Sequence, residues 1–257
     1  MSIKLARVGI ITNVKARTLR VREPGRRDLE RELASAADAN RAEVSQWFFK
    51  TGKGEYGEGD RFLGITVPVQ RKIARHYRHL SFAEIERLLS SDIHEHRFVA
   101  LDILVARYQR AADSERDEIV QFYLAHTDYI NNWDLVDASA RYIVGEHVRT
   151  RTRDLLHRLA GSSSVWERRI AITSTLTLIK GGEIEDTFRI SEKLLRDKHD
   201  LIQKAVGWLL REAGKVSRVR LLQFLRDHYR DMPRTTLRYA IEHFSPEQRK
   251  RMLVGKF

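Results

Sequence analysis

A repeat of about 35 residues is the feature that most constrains how this chain can fold. Five short segments align with Ala100, Val136, Ala171, Val206 and Ala240 at the equivalent position, and successive positions are 36, 35, 35 and 34 residues apart. A repeat of this length holds two helices, and each pair buries its apolar face only against the neighbouring pairs. Small residues at the shared position allow the helices to pack closely. The period therefore predicts an α-solenoid.

The spacing of apolar residues predicts helices along most of the chain. Apolar residues recur at i, i+3, i+4 and i+7, and the sequence has only four prolines. We expect an all-α fold with one solenoid domain over residues 27–257, curved into a superhelix whose second helices line a basic concave groove. With the helix-breaking residues taken into account, the predicted helices are 27–37, 41–50, 68–78, 82–90, 94–110, 114–126, 132–145, 150–160, 164–179, 184–196, 200–213, 216–229, 233–243 and 246–253.

The N-terminal segment, residues 1–26, differs in composition from the rest. Eight lysines and arginines but one acidic residue occur up to Arg27, together with a β-prone run at residues 8–11. We expect a flexible basic extension. A DNA-contacting arm, an organellar targeting segment and a misassigned start codon all remain open as explanations.

The charge of the chain indicates a polyanionic partner. Its 47 lysines and arginines exceed its 35 aspartates and glutamates, so the formal net charge is +12. Such a field attracts nucleic acid or an anionic membrane surface. The sequence contains no apolar run of about 18 residues and no secretory segment. We therefore expect a nucleic-acid-binding monomer of the bacterial cytoplasm or nucleoid, with no membrane association.

The absence of cysteine excludes several kinds of site. Without cysteine the chain has no disulfides, thiolate zinc sites, iron–sulfur clusters or cysteine nucleophiles. His94 and His96 resemble metal ligands, but residues two apart on a helix point in different directions. We expect these histidines to be solvated or to cap helices, and we expect no metal and no cofactor.

One helix is expected to carry an indole and a carboxylate on the same face. Trp133 and Asp137 are four residues apart, so they share a surface patch. The repeat alignment places Arg169 and Trp208 within two or three positions of this register on the next two equivalent helices. These four side chains are expected to converge in the groove.

The pattern alone leaves other interpretations open. Both tryptophans are compatible with core positions, and Asp137 with a cap or a local ion pair. Many helical solenoids are protein-binding scaffolds, and a fold does not determine function. Residues at particular positions must therefore separate an enzyme from a binding module.

Several motifs in order resemble the AlkD-type DNA alkylation repair proteins, a family of HEAT-like repeat DNA glycosylases. The resemblance extends from about Arg27 to the C-terminus and leaves out only the N-terminal extension. The matching motifs are residues 51–65 (TGKGEYGEGDRFLGI) with Val67 and Pro68, 131–137 (NNWDLVD), 166–169 (WERR), 204–212 (KAVGWLLRE) and 232–240 (MPRTTLRYA).

The resemblance implies removal of cationic N3- and N7-alkylpurines, such as 3-methyladenine and 7-methylguanine, from double-stranded DNA without a metal. By matched motif, Asp137 is the catalytic aspartate, Trp133 and Trp208 are the two catalytic tryptophans, and Arg169 is the arginine that contacts the DNA backbone. Each residue type is retained in this chain.

Further basic residues lie near Arg169 in the repeat register and are expected to bind phosphates without reading sequence. For each of them a solvated surface position is the alternative. These residues are Arg168, Lys204, Arg211, Arg234 and Arg238.

The glycine-rich segment 52–59 is not a nucleotide-binding loop. It lacks the G-x-x-x-x-G-K-[ST] pattern that cradles phosphates. We expect a connector between the first helical pair and the next, leading into a packing motif at residues 60–65. Tyr56 and Phe62 are candidates for DNA contacts if they lie near the groove.

Taken together, these features predict a monofunctional alkylpurine DNA glycosylase that leaves an abasic site. The alternatives are a non-catalytic repeat protein that binds distorted or branched DNA, and a protein-interaction scaffold. Trp133 with Asp137 favours the enzyme over both. DNA binding with a steep salt dependence would separate the first of these alternatives from the second.

Overall fold

The computed structural model describes residues 23–257, and this part of the chain is all-helical, as predicted. Its only β-type pairing is a single parallel bridge between Arg61 and Ile93. Short 3₁₀ turns follow α3 and α6. The helices are α1 Arg26–Ser35, α2 Ala39–Phe48, α3 Val67–Ala74, α4 Phe82–Leu89, α5 His94–Tyr108, α6 Asp113–Ala125, α7 Trp133–Ala140, α8 Glu146–Arg149, α9 Asp154–Ala160, α10 Val165–Lys180, α11 Glu185–Leu194, α12 Asp200–Val216, α13 Arg218–His228, α14 Arg234–Ala240 and α15 Pro246–Leu253.

The repeat register is confirmed by the packing of the second helices. Helices α5, α7, α10, α12 and α14 carry the aligned positions, and each packs against the next in the series. The aligned residues form the centre of the stack, because all five are at most 1% exposed. Each repeat therefore buries its apolar face against its neighbours, as an α-solenoid requires.

Glycine allows the closest approach between α12 and α14. A Cβ atom at Gly207 would lie 2.5 Å from the Cβ of Tyr239 and 2.6 Å from the carbonyl oxygen of Thr236. These separations are shorter than van der Waals contact, so a larger residue at this position would push the helices apart. This contact fixes Tyr239 and Trp208 on adjoining surfaces of the last two second helices.

The predicted end of helix 132–145 was wrong. A π-helical turn at Arg141–Gly145 joins α7 to α8, so the helix continues to Arg149, and the next helix begins at Asp154 instead of residue 150. A π turn displaces main-chain carbonyls from their usual partners. Hydroxyl groups of α10 approach two carbonyls here: Thr177 donates to Arg141 at 2.5 Å, and the hydroxyl of Ser174, which bonds Ile170 at 2.6 Å, lies 3.3 Å from the carbonyl oxygen of Ala140.

The N-terminal helices begin slightly earlier than predicted. Helix α1 begins at Arg26, and α2 begins at Ala39 after the cap of Asp38, whose side chain accepts from the backbone N–H of Arg41 at 3.1 Å. Residues 1–22 of the predicted basic extension lie outside the described residues.

Candidate functional site

An open cleft with a volume of about 710 Å³ lies where the second helices face the N-terminal part of the fold. It is bounded by α7, α10, α12 and α14 on one side and by the end of α2 and the following loop on the other. The lining residues are Phe48, Lys50, Tyr56, Trp133, Asp137, Arg169, His199, Asp200, Leu201, Lys204, Ala205, Trp208, Arg211 and Tyr239. All four residues that sequence analysis expected to converge are among them.

A bidentate ion pair joins Asp137 of α7 to Arg169 of α10. The Nε of Arg169 donates to Oδ1 of Asp137 at 3.0 Å, and its Nη2 donates to Oδ2 at 2.8 Å. The remaining Nη1 donates to the carbonyl oxygen of Leu201, at the start of α12, at 2.7 Å. The guanidinium therefore links three helices and fixes the orientation of the carboxylate.

The two partners differ in their access to solvent. The side chain of Asp137 is 22% exposed, whereas that of Arg169 is 7% exposed and lies beneath it. Burial raises the pKa of the Asp137 carboxyl above its usual value, and the charge and hydrogen bonds of Arg169 oppose this shift. The cleft thus presents one oriented carboxylate whose positive partner is behind it.

Trp133 is held in place by its neighbours. The side-chain oxygen of Asn132, which caps α7, accepts from the backbone N–H of Trp133 at 2.8 Å. The indole stacks on Phe49, with 5.4 Å between ring centroids, and meets the edge of Phe48 at 5.9 Å. Packing on two sides leaves the cleft side of the ring available to a ligand.

Trp208 and Tyr56 also contribute aromatic rings to the cleft. Trp208 is half-buried and packs against the core through α12. Tyr56 is half-buried in the glycine-rich loop and meets the edge of Trp166 at 6.0 Å. Burial raises the pKa of Tyr56 above its usual value. The tyrosine is therefore neutral near pH 7 and borders the same space as Trp133.

A buried polar cluster centred on His94 lies behind Trp133. The Nε2 of His94 is 2.8 Å from a carboxylate oxygen of Asp134, and its Nδ1 is 3.4 Å from Asp60. Asp60 also contacts Arg97 at 2.5 Å. Burial lowers the pKa of His94, but the two carboxylates outweigh it and raise the pKa to about 9. His94 is therefore an imidazolium near pH 7.

The expectation that His94 and His96 are solvated or capping was wrong. Their residues are 2% and 7% exposed. His94 packs against both Phe62 at 4.5 Å and Phe49 at 5.2 Å, which also stack on each other, and Nδ1 of His96 is 3.0 Å from the hydroxyl of Ser91. Sequence spacing did not reveal the site of His94 because its partners, Asp60 and Asp134, come from distant segments.

Glu95 explains the packing motif at residues 60–65. Its carboxylate accepts from the backbone N–H groups of Leu63, Gly64 and Ile65 at 2.8 to 3.2 Å. Gly64 has a φ of +77°, in the left-handed region, and a Cβ there would lie 2.2 Å from the carbonyl oxygen of Asp38. This turn holds the end of the glycine-rich loop against α5. Phe62 therefore packs on His94 and not in the cleft.

The basic residues expected to bind phosphate lie in different places. Lys204 and Arg211 line the cleft, with Lys204 2.6 Å from Asp200 and Arg211 paired with Glu242 and Glu212. The other three lie outside the cleft lining. Arg168 binds Asp197 at 2.6 Å, Arg234 donates to the carbonyl oxygen of Leu253 at 2.5 Å, and Arg238 is exposed on α14.

Some cleft residues were missed by sequence reasoning. Phe48, Lys50, His199, Asp200 and Tyr239 line the cleft, and of these only Tyr239 lies in one of the aligned repeat segments. Tyr239 lies one residue before Ala240, so the repeat alignment carried a usable signal for it. No sequence pattern indicated that the loop at the end of α2 would border the cleft.

The described residues provide neither a metal-binding group nor a membrane-spanning helix. Within residues 23–257, no group of three or more His, Asp or Glu side chains is arranged to hold a metal ion. The helices in this range are also too short or too polar to cross a membrane.

The family model for DNA alkylation repair enzymes matches residues 29–244. The chain therefore belongs to the DNA alkylation repair enzyme family.

A solved structure supports the fold assignment. A predicted DNA alkylation repair enzyme from Enterococcus faecalis is similar, with a TM-score of 0.64 and 18% sequence identity over 82% of this chain and 97% of that one. At this identity the likeness concerns the fold alone. No curated protein matches the chain.

Proposed function

We propose that this protein is a monofunctional DNA glycosylase that hydrolyses the N-glycosidic bond of N3- and N7-alkylpurines in duplex DNA. Membership of a DNA alkylation repair family supports a repair role with DNA as the substrate. One observation carries the finer proposal: an oriented carboxylate, Asp137, lies in an open cleft with Trp133 and Trp208.

The chemistry of the lesion explains why a single carboxylate suffices. Alkylation at N3 or N7 gives the purine a positive charge, so the base leaves as a neutral molecule and needs little protonation. As the bond stretches, positive charge develops on the deoxyribose. A fixed carboxylate stabilises that oxocarbenium-like state, as in glycosidases. Asp137 is suited to this role and to orienting the attacking water.

The tryptophans add to the same stabilisation. The face of an indole is electronegative and attracts a cation with about 0.5–2 kcal/mol. Trp133 and Trp208 beside the sugar would therefore favour the developing cation and exclude bulk water. This contribution selects for charged lesions and requires no reading of the base edge.

The ion pairs in the cleft support two different roles for its basic residues, phosphate binding and the positioning of Asp137. Asp200 and Glu242, the partners of Lys204 and Arg211, are 60% and 54% exposed. Exposed pairs are worth at most about 1 kcal/mol, so phosphates can replace these carboxylates. Lys204 is therefore our first assigned phosphate ligand, and Arg211, which is 19% exposed and also pairs with Glu212, is the second. Arg169 is buried, and each of its three guanidinium nitrogens already donates one hydrogen bond, two of them to Asp137, so we assign it to positioning Asp137.

The experiment that tests the proposed function is base release from alkylated duplex DNA. We expect the protein to release 7-methylguanine and 3-methyladenine and to leave abasic sites with intact strands. Strand cleavage by the protein itself would contradict a monofunctional mechanism. Binding without release of either base would favour the non-catalytic alternative.

A further inference from the structure

Helix α2 exposes an apolar surface that the fold does not cover. None of its residues is buried, although it carries Val44, Trp47 and Phe48. These side chains are 65%, 77% and 53% exposed, and Trp47 is the most exposed aromatic residue within 23–257. A large exposed indole with apolar neighbours is typical of an interaction surface.

This surface is continuous with the cleft. Phe48, the neighbour of Trp47, lines the cleft and packs its edge on Trp133. Lys50 also lines the cleft, and its ammonium lies 5.8 Å from the centroid of the Trp47 ring. Lys50 has a φ of +58°, so the chain turns sharply just after α2. The indole and its cation therefore stand together at the rim of the cleft.

We propose that Trp47 contacts the DNA duplex beside the lesion, packing on deoxyribose and base edges while Lys50 binds the adjoining phosphate. The inference rests on the proposed function in one respect, that DNA occupies the cleft. A duplex extends past a cleft of this size on both sides, so the rim must contact the flanking nucleotides. Aromatic rings and apolar wedges bind sugars and bases without strong sequence preference.

The charge of the surface favours DNA over a protein partner. Lys50 is 51% exposed, and its only nearby carboxylate among residues 23–257 is Glu55 at 3.9 Å, which is a weak pair. A cation above an exposed indole combines phosphate binding with apolar contact, and the net charge of +12 attracts DNA to the molecule as a whole.

The test is equilibrium binding to an undamaged duplex and to one with a stable abasic-site analogue, at several salt concentrations. Trp47→Ala should weaken binding at least about fivefold, the lower end of the effect of removing an aromatic contact to a base. Its salt dependence should be unchanged, because no ionic contact is lost. Trp47→Phe should restore most of the affinity. Lys50→Gln should reduce the slope of log K against log salt concentration by about 0.9, as the loss of one phosphate contact does.

A matched control separates this effect from a general loss of surface apolarity. Val219 on α13 is 81% exposed, so Val219→Ala should leave affinity unchanged. Unchanged affinity in Trp47→Ala, or a reduced salt slope in that variant, would overturn the proposal. Because the assay measures binding alone, its outcome is independent of base release. A protein that binds DNA through Trp47 but releases no base would contradict only the proposed activity.

Discussion

Asp137 and Arg169 face each other across the interface between α7 and α10, and two hydrogen bonds of 3.0 and 2.8 Å join their side chains. The arginine lies on the buried side and the carboxylate on the cleft side. The pair keeps a negative charge in one orientation at the surface of the cleft, with its positive partner buried beneath it. Such preorganisation is what stabilises charge that develops in a transition state.

Replacing Arg169 should change the pH dependence of base release. The carboxylate acts when ionised, so the rate falls as pH decreases through the pKa of Asp137. Burial raises that pKa and Arg169 opposes the rise. Arg169→Gln should therefore move the acid limb to higher pH, measured as single-turnover rates from about pH 5 to 8. An acid limb at the same pH would show that Arg169 does not control the ionisation of Asp137.

Each cleft tryptophan should contribute modestly to the rate. Trp133→Leu and Trp208→Leu remove the indole face but keep an apolar side chain. We expect each to slow release of 7-methylguanine about 2- to 30-fold, which corresponds to about 0.5–2 kcal/mol. Trp166→Phe is the control, because Trp166 lies outside the cleft lining and phenylalanine retains an edge contact with Tyr56. Equal losses in all three variants would argue against cation stabilisation.

The buried His94 should make the stability of the protein depend on pH. Its pKa is about 9 in the folded protein, against about 6.5 in an unfolded chain. The contribution of the protonated His94 to the free energy of unfolding is complete below about pH 6.5. It is lost as the pH rises through 9, and the loss amounts to about 3 kcal/mol. Urea unfolding should show this decline, and His94→Gln should abolish it. A decline of the same size in the variant would place its origin in other groups.

The contact between α12 and α14 should not tolerate a side chain. Alanine favours helices over glycine by about 1 kcal/mol, but the Cβ of Gly207→Ala would meet Tyr239 and Thr236 at 2.5 and 2.6 Å. We expect a net loss of about 1–3 kcal/mol in the free energy of unfolding.

The control for this variant is Gly161→Ala. Gly161 has an ordinary φ of −94°, and the nearest atom to an added Cβ is the flexible end of Lys193 at 3.3 Å. Gly161→Ala should change the free energy of unfolding by no more than about 0.5 kcal/mol. Similar losses in both variants would show that Gly207 is not a special contact.

The periodic part of the fold could be predicted from sequence. A repeat of two helices places one equivalent residue at the centre of every layer, and Ala100 through Ala240 are buried accordingly. Helical spacing likewise predicted that Trp133 and Asp137 share a face. The π turn at Arg141–Gly145 was missed because the groups that stabilise it are hydroxyls of α10, one repeat later.

Contacts between repeats were harder to predict. The periodicity brought Arg169 near Asp137 but did not show whether its guanidinium would reach the carboxylate or a phosphate. That choice depends on side-chain reach between two helices. The charge on His94 depends on Asp60 and Asp134, which lie 34 and 40 residues away. A basic groove remains a prediction, because the cations lining the cleft are paired with carboxylates.

The most direct measurement is the single-turnover rate of 7-methylguanine release by Asp137→Asn, with duplex binding measured on the same preparation. We expect a rate loss of about 10²-fold or more, because the amide cannot stabilise positive charge on the sugar, while binding persists through the phosphate contacts. Near wild-type release by this variant would contradict the central role of the Asp137 carboxylate.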